Sequence, residues 1–63
     1  MAVAEIGDVW VAKENNKIEA TVIYVGEDYL SIEVKSIMGH YRDYLTPEEL
    51  ANDFRPQNNK DTL

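Results

Sequence analysis

The chain's one histidine, His40, has a carboxylate three residues on, Asp43, with hydroxyls at Ser36, Tyr41 and Tyr44 close by. A nucleophile needs a base of suitable pKa, and that base needs a group to orient it, so this stretch is where such a set can be sought. The set is thin. His40 follows Gly39 in what reads as a turn, where a solvated imidazole is the ordinary outcome. The chain has no Gly-x-Ser-x-Gly elbow, no phosphate-cradling glycine loop and no dinucleotide fingerprint. Glu48 and Glu49 are adjacent, and neighbours on a helix point about 100° apart, so they do not face each other as an acid–base pair. Glu27 and Asp28 offer two carboxylates where a calcium site takes about 6–8 oxygens. No cysteine and a single histidine leave no nitrogen or sulfur cluster for a metal. The expectation is a protein that is not an enzyme, with no cofactor and no metal.

The same stretch reads better as a binding patch. Gly39-His40-Tyr41-Arg42-Asp43-Tyr44 concentrates Tyr and Arg, which join large contact area to hydrogen-bonding tips and are enriched at energetic hot spots. Tyr24 and Tyr29 flank the turn Gly26-Glu27-Asp28. The candidate partner-binding residues are therefore Tyr41, Arg42, Tyr44, Tyr29, Tyr24 and Asp43. Each tyrosine alone is also an ordinary strand residue, since Tyr has high β propensity. The expectation is an interface that uses at least two of the four.

Short strands must position these side chains. Gly7-Asp8 opens the first, Val9 to Lys13, and Glu14-Asn15-Asn16-Lys17 is the polar loop of a hairpin. Ile18 to Val25 is the second. Ile18, Ala20, Val22 and Tyr24 alternate with polar Glu19 and Thr21, until Ile23 and Val25 break the pattern, as in a strand buried on both faces at its far end. Tyr29 to Ile37 is the third and clearest: Leu30, Ile32 and Val34 on one face, Ser31, Glu33 and Lys35 on the other. Tyr41 to Leu45 is a fourth, with Tyr41 and Tyr44 on opposite faces. Thr46-Pro47-Glu48-Glu49 then starts a helical turn, with Thr46 as cap, Pro47 at the first position and Glu49 completing a capping box. The turn runs to about Asp53, and Phe54-Arg55 forms a very short fifth strand ended by Pro56.

This order predicts a mainly β chain: a small SH3-like barrel of four to five antiparallel strands with one short helical turn before the last strand. Leu50 and Phe54, four apart, plug one end. The expected core is Val9, Trp10 or Val11, Ala20, Val22, Leu30, Ile32, Val34, Leu45, Leu50 and Phe54. The choice between Trp10 and Val11 stays open because they point to opposite faces. Sixty-three residues make one domain, placed at 1–56. Residues 1–5 read as a frayed lead-in, and residues 57–63, nearly without apolar side chains, as a disordered tail.

Charge narrows the partners. Twelve Asp and Glu against six Lys and Arg give a net charge of −6. Phosphate-backbone binding needs a cationic surface, so nucleic acid is not the expected ligand. The longest apolar run, Val22 to Val25, is far below the roughly 20 residues that span a bilayer, and no secretory signal opens the chain. Cytoplasmic localisation is expected.

Gly7-Asp8-Val9-Trp10-Val11-Ala12-Lys13 resembles the first strand of Tudor and KOW-type barrels. Ile18-Glu19-Ala20-Thr21-Val22-Ile23 is similar to the second Tudor strand, and Leu45-Thr46-Pro47-Glu48-Glu49-Leu50, ending at Arg55-Pro56, to the closing turn. The resemblance covers roughly residues 6–56 and implies an SH3-like barrel. Tudor domains read methylated side chains through an aromatic cage, but Lys17, Ile18, Ser36 and Ile37 stand at the cage positions. KOW modules carry basic loops, and here the loops carry Glu14, Glu27 and Asp28. What remains is similar to stand-alone small barrels encoded by phages and prophages, which implies the host cytoplasm.

Three readings follow. The first is a small, acidic, non-enzymatic interaction protein that binds a host or cellular protein and, in a phage setting, inhibits it. It would be a monomer or a weak homodimer through an edge strand. The second is a Tudor- or KOW-like nucleic-acid-associated module, which requires a basic stripe and stacking aromatics. The third is a DNA-mimic inhibitor, which requires carboxylates spaced like phosphates on one face.

Overall fold

The computed structural model describes residues 4–57. Strands β1 (Val9–Ala12), β2 (Glu19–Val25), β3 (Leu30–Ser36) and β4 (Gly39–Leu45) follow one another as antiparallel neighbours. Helix α1 (Pro47–Asp53) then carries the chain to the far side of β1, where β5 (Phe54–Pro56) pairs antiparallel. The result is one five-stranded sheet in the order β4-β3-β2-β1-β5, with β4 and β5 as its edges. The sheet is open, and its edges do not join into a closed barrel.

Local signals set the connections. Asn15 makes an Asx turn, its Oδ1 accepting the Lys17 N–H at 3.0 Å, and this reverses the chain between β1 and β2. Gly26 N–H donates to the Tyr29 carbonyl at 2.8 Å and closes the β2–β3 turn. A Cβ on Gly26 would lie 2.9 Å from that carbonyl oxygen and 3.1 Å from the Tyr24 ring, so the turn has no room for a side chain. Ile37 and Met38 form the tip between β3 and β4, and Gly39 takes the positive φ of +132° there. Thr46 caps α1 as expected: its Oγ1 accepts the Glu49 N–H at 3.1 Å, and the Glu49 carboxylate accepts the Thr46 N–H at 3.0 Å.

One face of the sheet carries the core. Trp10, Ala20 and Val34 lie in one cross-strand row and Val22 and Ile32 in the next, with Leu30 beyond. Leu50 of α1 closes over them, and Ile18, Leu45 and Phe54 pack at the margin. Trp10 and Val11 are both buried, on opposite faces. Val11 escapes water because Glu19 and Arg55 flank it in its row, and long polar side chains cover apolar neighbours with their stems. Val9 belongs to that outer face and not to the expected core. The Trp10 indole N–H is buried and has no partner among the described residues, a cost of about 1–3 kcal/mol.

The two ends differ from expectation. Ala4, placed in a frayed lead-in, is buried in the core, because Gly7 at φ +97° turns the chain back and its N–H bonds the Val22 carbonyl at 2.8 Å. Gln57, placed in the tail, donates its N–H to the Val9 carbonyl at 3.0 Å and prolongs the β1–β5 ladder. Residues 1–3 and 58–63 lie outside the described part.

The larger correction concerns β2. The pairing with β3 runs Ala20 to Val34 and Val22 to Ile32, then jumps to Tyr24 with Ser31 and Val25 with Leu30. Ile23 is the extra residue of a β-bulge. It reverses the phase, so Tyr24 leaves the apolar column of Ile18, Ala20 and Val22 and turns to the outer face. The break at Ile23 and Val25 is thus a change of register, not burial on both faces: Tyr24 and Val25 are exposed.

Candidate interaction surface

Residues paired across a sheet share a face, and neighbours along a strand alternate. Tyr24, Ser31 and Tyr44 form one row on the outer face, and Tyr29, two residues before Ser31, falls on the same side. The rings meet there. The Tyr29 centroid is 6.4 Å from that of Tyr24 and 5.7 Å from that of Tyr44, with tilts of 49° and 57°. Tilted pairs at these distances are worth about 0.5–1.5 kcal/mol beyond the area they bury. Ser31 suits the centre because a small side chain lets the rings close above it, and it is the one buried polar residue among those described. The three rings remain 45–65% exposed.

The next rows on this face alternate in charge. Arg42 stands opposite Glu33, and Lys35 stands between Glu19 and His40. The outer face is therefore a tyrosine cluster bordered by mixed charges. Among the described residues it presents neither a row of carboxylates nor a basic stripe. Tyr29 packs against both of the other rings, so the cluster offers one continuous contact surface.

The six candidate residues are thus divided by strand parity. Tyr24, Tyr29, Arg42 and Tyr44 share the outer face. Tyr41 and Asp43 point to the core side, where both line an open cleft of about 450 Å³ between β4 and the α1–β5 end. The parity also parts His40 from Asp43, so the sequence neighbours do not form a base and its orienter. The Asp43 carboxylate instead accepts the Tyr44 N–H at 2.8 Å. Among the described residues, no group of three or more His, Cys, Asp or Glu is placed to hold a metal ion, and no helix is long and apolar enough to cross a membrane.

Two features escaped the sequence reading. Ile37 and Met38 at the β3–β4 tip are each 90% exposed, and two consecutive apolar residues before a glycine were there to signal it. The cleft had no sequence signal, because its lining is drawn from four separate stretches, 12–18, 32–34, 41–45 and 52–54.

The fold and this surface define a small, mainly β domain with an aromatic outer face. No family model, curated protein or solved structure matches the chain.

Proposed function

We propose that this is a non-enzymatic interaction protein, a half-open relative of the small SH3-like barrels, that docks on another protein through Tyr24, Tyr29, Tyr44 and Arg42. The meander β1–β4 with a helical return to β1 supports the barrel kinship. The observation that carries the docking role is the cluster of three half-exposed tyrosines with Arg42 in the adjoining row. Half-exposed rings that brace each other are ordered before binding, so little side-chain entropy is lost when a partner covers them. The alternating charges around them favour a protein surface over a polyanion or a polyanion-binding site. Covering a partner's working surface in this way would inhibit it, which suits a phage-encoded protein acting in a host.

The test is affinity capture from the source cell with the wild type, with the double variant Arg42→Glu/Tyr44→Ala, and with Glu48→Ala as a control on α1. The double variant should stay folded and lose the captured protein by roughly thirtyfold or more, the scale of a hot spot. Equal recovery by all three would remove the outer face from consideration. Saturable binding of RNA or DNA in a low-salt gel shift would replace the proposal with the nucleic-acid reading.

A further inference from the structure

The cleft on the core side is a different surface, and it meets an unpaired strand edge. Among the described residues β4 pairs with β3 alone, so one side of Gly39–Leu45 keeps backbone donors and acceptors for another strand. An N–H bonded to the neighbouring carboxylate, as that of Tyr44 is to Asp43, is one that β3 has not taken, and it belongs to this free side. Below the edge, Ile18, Ile32, Val34, Leu45 and Phe54 give the cleft an apolar floor. Among the described residues, its rim carries the carboxylates of Asp43, Asp53 and Glu14 against the single cation of Lys13.

The geometry points to strand addition at β4 by an extended peptide whose cleft-facing side chains read apolar, basic, apolar. Cleft-facing positions recur every second residue, so they fall opposite Tyr41, Asp43 and Leu45. Apolar side chains opposite Tyr41 and Leu45 reach the floor, and a Lys or Arg opposite Asp43 meets the acidic rim. The incoming backbone takes over the Tyr44 N–H and frees the Asp43 carboxylate for that cation. On the outer face, the residue opposite Arg42 is best acidic.

A second copy of the chain fits this edge poorly. An antiparallel β4–β4 pair that keeps both cores on one side must match residues of equal parity. Two of its three central registers set Arg42 against Arg42 or Asp43 against Asp43, and like charges directly opposite are destabilising. The third sets Tyr41 against Tyr41 but leaves Asp43 opposite Gly39, with no cation for its carboxylate. Charge complementarity therefore selects a foreign peptide with a basic residue flanked by apolar ones.

The probe is the peptide acetyl-Thr-Val-Thr-Arg-Glu-Val-Thr-amide, titrated into the full chain and followed by amide chemical shifts. The expected result is saturable binding with shifts on Gly39–Leu45, Lys13 and Asp53. A peptide with Glu in place of its Arg should bind roughly fivefold more weakly or worse, and Asp43→Lys should invert that preference. Tyr24→Ala, in the outer cluster but off β4, should leave peptide binding unchanged, which separates this site from the outer-face proposal. No binding, equal affinity for the two peptides, shifts confined to Thr21, Tyr24 and Tyr29, or a dimer with protected β4 amides would each overturn it.

Discussion

Leu50→Ala is expected to leave the chain unfolded in buffer at 25 °C. Leu50 is the only residue of α1 that is buried, and it is fully so. It also sits at the centre of the helix's own bonding: its N–H donates to the Thr46 carbonyl at 3.0 Å, and its carbonyl accepts the Phe54 N–H. A seven-residue helix has no stability of its own in water and stands only by what it docks. Replacing a buried Leu by Ala costs about 2–5 kcal/mol. A domain of this size has about 3–9 kcal/mol in total, and the loss falls on the one side chain that fastens α1 and, through it, β5. Phe54 was expected to share the plug, but it is only partly buried, at the cleft. Phe54→Ala should therefore remove roughly 2 kcal/mol and leave a folded domain with a lower melting temperature. Circular dichroism melts of the two variants check the order. A cooperative transition for Leu50→Ala above 37 °C, or a Phe54 variant less stable than the Leu50 variant, would contradict this assignment of the core.

The sequence disclosed those parts of the fold that are set by near neighbours. β3 was legible because Leu30, Ile32 and Val34 alternate without interruption with Ser31, Glu33 and Lys35. α1 was legible because its start is a local contract between Thr46 and Glu49 with Pro47 between them, and these residues need nothing else to declare themselves. Trp10 and Val11 were not resolved, since both phases of β1 are apolar. The structure buries both because β1 is flanked on each side, by β2 and by β5, and only long-range pairing supplies that. Closure was illegible for the same reason. Whether the edges of a meander meet depends on twist and strand length summed over the whole sheet.

The candidate surface was legible in composition and not in grouping. Tyr41 and Tyr44 could be set on opposite faces by counting within one strand. Tyr24 could not, because its side depends on one residue inserted before it. Counted by strict alternation from Ile18, it falls in the core column. Displaced by Ile23, it joins Tyr29 and Tyr44. Tyr29 had no special mark in the sequence, yet its ring stands between the other two.

Deleting Ile23 tests that reading of the bulge directly. Without the extra residue, Tyr24 follows Val22 and β2 can run in continuous register against β3, so strict alternation keeps Tyr24 opposite Ser31 on the outer face and Val25 opposite Leu30. The deletion removes the partly buried Ile23 side chain and the local bend of the bulge, and leaves the pairs on either side of it unchanged. The expected result is a folded domain with a melting temperature lower by several degrees. Nuclear Overhauser contacts between the Tyr24 and Tyr29 rings should persist, and capture of the partner should be unchanged. Loss of those contacts, with new ones from the Tyr24 ring to core methyls, would mean that Ile23 is not the extra residue, and the outer face would have to be explained from the hairpin loop instead.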